Sequence, residues 1–152
     1  RDLESFLFDS GRPVLLIPYI LREPRPIKRV LIAWNGSREA TRATFDALPF
    51  LKQADDVEIF TVDPEETTVQ SAAIAGAEIA ATLARHGCKV TVATGETNGL
   101  PAAAVIENRL SDGSIDLLVM GAYTHSRLWE MLFGGVTRTL LDSMTALTLL
   151  SR

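Results

Sequence analysis

The sequence predicts an α/β protein, an open three-layer sandwich with a mainly parallel sheet between two helical layers. Two observations carry that expectation. Beyond residue 28, short β-rich runs alternate with Ala-rich segments of helical spacing, the order of a parallel sheet joined by right-handed crossovers. The runs "RVLIAW" (29–34) and "IDLLVM" (115–120) are almost continuously apolar, as strands are when helices cover both of their faces.

In chain order the expected strands are 29–34, 56–62 ("DVEIFTV"), 88–94 ("CKVTVAT"), 115–120 and a weaker fifth at 146–150 ("ALTLL"). Helical spacing fills the intervals at 38–51, 67–87, 100–113 and 135–144. In the second of these, Ile74, Ala77, Ala81 and Ala84 share one face, and Gly87 supplies the stop signal.

The first 28 residues fall outside this count. "RDLESFLFDSGRPVLLIP" (1–18) reads as a helix and an apolar strand with no strand before them. Residues 7–18 also match 140–151: Leu7, Asp9, Ser10 and Leu16 meet Leu140, Asp142, Ser143 and Leu149. The match predicts that 1–18 is the closing helix and strand of a preceding repeat. Residues 19–28, with Pro24 and Pro26, then form a stiff linker, and 29–152 the domain proper.

At 152 residues the chain suits one domain of ordinary size, and 47% hydrophobic with 22% charged residues is a globular composition. A net charge of −4 and a pI near 5.2, with no Lys/Arg cluster, argue against a nucleic-acid partner. The single cysteine, Cys88, excludes an internal disulfide framework and a Cys-rich metal site. A buried, unreactive thiol at the start of a strand is expected there, in keeping with a reducing cytoplasm. No apolar run approaches the roughly 20 residues of a membrane-spanning helix, and no signal peptide is recognisable. The expectation is a soluble, cytoplasmic protein without a membrane partner.

Open parallel sheets bind ligands beyond the carboxyl ends of their strands, where strand order reverses. Two strand ends here carry suitable residues. After the first come Asn35, Gly36 and Ser37, where Asn35 or Ser37 can cap the next helix and Gly36 permits a tight turn. That trio serves equally as a plain helix start. After the fourth strand stands Gly121, and the next helix opens at Gly134-Gly135-Val136-Thr137. A helix start offers unpaired N–H groups and a positive dipole end to an anion. If the first and fourth strands are neighbours, the two openings share one nucleotide-sized crevice.

Other chemistries lack their motifs. There is no P-loop, dinucleotide fingerprint, G-x-S-x-G elbow or H-E-x-x-H zinc pair, and no spaced acid–base pair or activated nucleophile. His86, beside Gly87, reads as a helix C-cap. His125 lies in the 122–133 loop, within reach of a ligand.

These residues resemble the universal stress protein (UspA) family, and in particular the second half of its tandem members. The family motif is G-x2-G-x9-G-[ST], after a strand of the "DLLVMG" type. The resemblance implies an adenine nucleotide alpha hydrolase-like fold: five strands in the order 3-2-1-4-5, plus the extra N-terminal helix and strand. It places the first motif glycine at Gly121 and the third at Gly134. The second position is Thr124 and the Ser/Thr position is Gly135, both departures. Asn35 stands where nucleotide-binding members usually have Asp. Thr124 loses positive φ and adds a branched side chain, whereas Gly135 gives up a hydroxyl but keeps its amide.

By resemblance the ligand is ATP or AMP, with or without Mg²⁺. The adenine meets the backbone near Val62, the ribose meets Asn35, and the phosphates meet the amides of Gly134, Gly135, Val136 and Thr137. Ala33, Trp34, Met120, Tyr123 and Arg127 complete the implied contacts. Trp34 either stacks on a ligand or fills the core or crevice. Asp63 reads as a turn starter before Pro64. Two functional readings follow: an adenine-nucleotide-binding stress-response module with at most slow ATP hydrolysis, or a degenerate repeat serving dimerisation or regulation. The resemblance also implies pairing of 13–17 with 146–150, within one chain or in a homodimer, which blunts an exposed edge.

Overall fold

The computed structural model describes residues 11–18, 23, 25–63, 66–100, 102–121 and 146–152. The expected helices at 1–9 and 135–144 lie outside them. In chain order the elements are β1 (Val14–Leu16), β2 (Arg29–Ala33), α1 (Arg38–Asp46), α2 (Leu48–Gln53), β3 (Asp56–Asp63), α3 (Glu66–Arg85), β4 (Val90–Glu96), α4 (Ala102–Asp112), β5 (Leu117–Gly121) and β6 (Leu147–Ser151). They build one six-stranded sheet of order β1-β6-β5-β2-β3-β4. Without β1 this is the expected 3-2-1-4-5 arrangement; β1 adds the sixth strand.

Every pair is parallel except β1 with β6. The central strands are buried on both faces: Val30, Leu31 and Ile32 in β2, and Leu117 to Met120 in β5, are each at most 4% exposed. Period-two alternation splits the core in two. Val30, Ile32, Val57, Ile59, Leu117, Val119 and Leu149 meet α1, α2 and α3 through Ala40, Ala43, Leu51, Ile79 and Leu83. Leu31, Phe60, Leu118, Met120 and Leu150 meet α4 through Ile106 and Leu110.

A polar clamp ties the other end of the sheet. One Asp116 carboxylate oxygen, Oδ2, accepts the backbone N–H groups of Lys28 and Arg29, both at 2.9 Å. The Asp116 N–H donates to the Arg29 carbonyl at 2.8 Å. Together they fix the register of β2 against β5 where the ladder begins. On the α4 face, Arg109 donates twice to Glu58, Nε to Oε1 and Nη2 to Oε2 at 2.7 Å each. Its guanidinium lies 5.2 Å from the centre of the Phe60 ring. That hydrogen-bonded carboxylate raises the Arg109 pKa, against opposing desolvation.

Three local expectations are corrected. The single helix at 38–51 is two, α1 and α2, because Pro49 has no N–H to continue the first ladder and instead starts the second helix. On α3, Ala77, Ala81 and Ala84 are exposed, while Gly76, Ile79 and Leu83 face the sheet. Burying the larger Ile79 and Leu83 gains more than burying alanines, so helix rotation follows the bulkier pair. The third expected strand starts two residues late, at Val90. Cys88 is taken up in closing α3: its N–H donates to the Leu83 carbonyl at 3.1 Å, and that of Gly87 to Ala84 at 3.0 Å. This is a Schellman closure with Gly87 at φ +88°. His86 sits at this end as expected, its Nδ1 2.9 Å from the Thr82 carbonyl.

The pairing expected between 13–17 and 146–150 forms within the chain, antiparallel, with Val14 opposite Leu150 and Leu16 opposite Thr148. Arg42 of α1 steadies the approach to β1, donating to the Gly11 carbonyl at 2.7 Å. Leu16 packs on the α4 side and Leu149 on the α1 side, so these two matched leucines face opposite layers.

Cys88 is 6% exposed, and burial raises its thiol pKa while nearby Lys52 lowers it. A native-state thiolate is therefore scarce. Alkylation of Cys88 by iodoacetamide should be slow in native protein and complete in denaturant, as mass spectrometry would read; equal rates would contradict this packing.

Candidate functional site

The carboxyl ends of β2 and β5 lie side by side, with Ala33 opposite both Met120 and Phe60. The strand order reverses here: the chain leaves β2 for β3 on one side and returns through β5 on the other. The two strand ends read from the sequence, Ala33 and Gly121, therefore belong to neighbouring strands.

On the β2 side the local chemistry is fully specified. Gly36 takes φ +73°, and the Asn35 side-chain oxygen accepts the Ser37 N–H at 3.0 Å. Ser37, extended at φ −77° and ψ 163°, caps α1 by accepting the Ala40 N–H on its Oγ at 3.0 Å. The choice between Asn35 and Ser37 as cap thus resolves to Ser37, with Asn35 shaping the turn before it. Asn35 is exposed. A carboxylate at this position would accept the same N–H, so the departure from Asp leaves the turn chemistry unchanged.

On the β5 side, Gly121 is half-buried and pressed against α1. A Cβ there would lie 2.6 Å from the Ala40 nitrogen and from the Glu39 carbonyl carbon. Glycine is required at this position by helix–strand approach, independently of any ligand.

The implied contact residues divide by face. Ala33, Val62 and Met120 lie on the α4 side of the sheet. Trp34 lies on the opposite side, 7% exposed, packed with Ile32, Ala40 and Ala43 in the core. Tyr123, Thr124, His125, Arg127, Gly134, Gly135, Val136 and Thr137 lie outside the described residues. Among the described residues, no group of three or more His, Cys, Asp or Glu side chains is placed to hold a metal ion. At Asn35 the structure offers a neutral amide whose oxygen already serves the turn, a poor ligand for Mg²⁺ but a good partner for a ribose hydroxyl.

Two polar features escaped the sequence reading. Ser151 Oγ donates to Asp46 Oδ2 at 2.6 Å, tying β6 to α1. Thr61 is buried at 3% exposure, and among the described residues its hydroxyl has no partner. The alternation in "DVEIFTV" contained the signal for Thr61, since it puts Thr61 on the same inward face as Val57 and Ile59.

Fold and edge together define an open α/β protein with a reversal of strand order between β5 and β2, the place where such sheets generally bind ligands. Solved structures make the class more specific. A universal stress protein from Archaeoglobus fulgidus DSM 4304 matches with a TM-score of 0.71 and 17% identity over 98% of this chain and 52% of its own. This chain thus spans about half of that protein's length. A universal stress protein solved in complex with cAMP gives 0.61 and 17% over 84% of this chain and 98% of its own. Universal stress protein UspA from Lactobacillus plantarum gives 0.54 and 16% over 85% and 100%. No protein-family model matches the sequence, and a search of curated proteins finds no relative. The chain has the universal stress protein fold.

Three substitutions test the described edge by urea denaturation. Gly121→Ala should cost about 1–3 kcal/mol, because α1 backbone must move. Ser37→Ala should cost about 1 kcal/mol through loss of the cap. Asn35→Asp should stay within about 0.5 kcal/mol of the parent.

Proposed function

We propose that this chain is a universal stress protein domain that binds an adenine nucleotide, ATP or AMP, as a cytoplasmic stress-response module. The observation that carries the reading is the adjacency of β2 and β5 at the switch point, which sets the exposed Asn35 beside the strand end leading into the glycine motif. Asn35 would hold the ribose, the backbone near Val62 the adenine, and the amides of 134–137 the phosphates. A protein of this fold solved with cAMP supports the choice of ligand class. In this reading the nucleotide acts as a signal, with at most slow hydrolysis.

A second reading has its own observation. Gly121 is accounted for by its contact with α1, and Trp34 by core packing, so neither residue requires a ligand. With Thr124 and Gly135 at motif positions, this favours a degenerate repeat acting in dimerisation or regulation. Leu15 and Ile17 of the edge segment, 40% and 65% exposed, support a homodimer through that edge. Residues 1–18 then close a preceding repeat, a reading supported by the internal match and by likeness to a protein nearly twice as long.

Calorimetry with ATP, AMP and cAMP, with and without Mg²⁺, decides between the readings. Saturable binding near one nucleotide per chain is expected. No heat at about 1 mM, equivalent to a free energy weaker than about −4 kcal/mol, would overturn the nucleotide reading. The degenerate reading expects the pair Thr124→Gly and Asn35→Asp to create affinity where the parent has none. If the parent already binds as tightly as the double variant, that reading fails.

A further inference from the structure

Two adjacent levels of the sheet on its α1–α3 face have opposite chemistry. One runs Leu149, Val119, Ile32, Ile59, Val92 and is aliphatic throughout. The next, at the carboxyl edge, runs Ser151, Gly121, Trp34, Thr61, Thr94. Gly121 pairs with Ser151, and Thr61 with Thr94. Trp34 follows one step beyond Ala33, its N–H donating to the Phe60 carbonyl at 2.9 Å, so it stands beside Thr61. Ser151 is satisfied by Asp46. Among the described residues, Trp34 Nε1 and Thr61 Oγ1 have no hydrogen-bond partner, although both residues are more than nine-tenths buried. The other unpartnered buried hydroxyl, Thr148, lies on the opposite face, opposite Leu16.

Two unpaired polar groups on neighbouring strands, at one level and on one face, point to a shared guest. We propose that Trp34 Nε1 and Thr61 Oγ1 form a binding site for one internal water molecule, separate from the nucleotide crevice proposed above. The chemistry fits: the indole N–H only donates, and the threonine hydroxyl both donates and accepts. Water accepts the first and exchanges a hydrogen bond with the second. Neighbouring strands lie about 4.8 Å apart, so the two side chains rise from adjacent positions of one sheet face. Ile32 and Ile59 of the adjacent level and Ala40 of α1, all at most 2% exposed, have apolar side chains and offer no competing polar partner. The exposed Thr94, next in the row, gives the water a polar route to the sheet edge. The site adds a side-chain bridge between the ends of β2 and β3 to the backbone bond from Trp34 to Phe60.

A double-mutant cycle with Thr61→Val and Trp34→Phe tests it, read as the folding equilibrium constant from urea denaturation. Each single change should lower the constant by about tenfold, and the double variant by clearly less than the hundredfold product, because both remove one bridge. Additive effects, or a Thr61→Val variant as stable as the parent, would overturn the site, since an isolated buried hydroxyl is better replaced by a methyl group. Should Trp34→Phe fail to fold, NMR on the other two proteins decides. The parent should show a water cross-peak at the Trp34 indole proton that disappears in Thr61→Val, with Trp129 as internal control. No such cross-peak in the parent, as a direct Trp34–Thr61 hydrogen bond would give, overturns the proposal.

Discussion

The parallel ladder between β2 and β5 fixes everything at the carboxyl edge. Two segments nearly 90 residues apart in sequence must meet in one register, and the Asp116 carboxylate sets that register by holding the backbone of Lys28 and Arg29. From there the apolar pairs Val30–Leu117, Leu31–Leu118 and Ile32–Val119 carry it to the far end. Slipping by one residue would exchange the α1-facing and α4-facing sets and turn Trp34 out of its core. The carboxyl edge is thus placed by a contact at the opposite end of the sheet.

Gly121 shows how packing and ligand chemistry can ask for the same residue. A phosphate cradle needs glycine because a Cβ would block the anion. Here α1 needs it because its first turn lies against the strand. The cap formed by Ser37 and the turn formed by Asn35 direct that first turn onto Gly121. Such an edge keeps its shape whether or not a nucleotide is bound, so loss of motif residues elsewhere need not unfold it. This physical separation lets the edge be held by packing alone.

Most of the fold was legible in the sequence because the central strands are buried on both faces, and a short, continuous apolar run rich in Val, Ile and Leu marks such a strand directly. The strand order needed the family resemblance, since periodicity does not choose neighbours. Helix details were less legible. Alanine spacing on α3 suggested one face, but the volume of Ile79 and Leu83 chose another, and Pro49 divided a helix whose apolar rhythm runs through it. At the site, Asn35, Gly36 and Ser37 were readable as a turn and cap because their chemistry is local. The reason for Gly121 was not, because the atoms that demand it belong to Glu39 and Ala40, some 80 residues earlier in the chain. Thr61 was readable only in part: alternation gives its face, while its unpaired hydroxyl depends on what surrounds it.

The antiparallel contact of β1 with β6 has a mechanical consequence. Val14, at the start of β1, lies opposite Leu150, near the end of β6. Tension applied through the chain before Val14 and after Leu150 would load that contact from one end, peeling its hydrogen bonds apart one after another. The parallel core strands carry no such weak axis. Under load, β1 would be shed first as a detachable strip, leaving the switch-point sheet whole behind it.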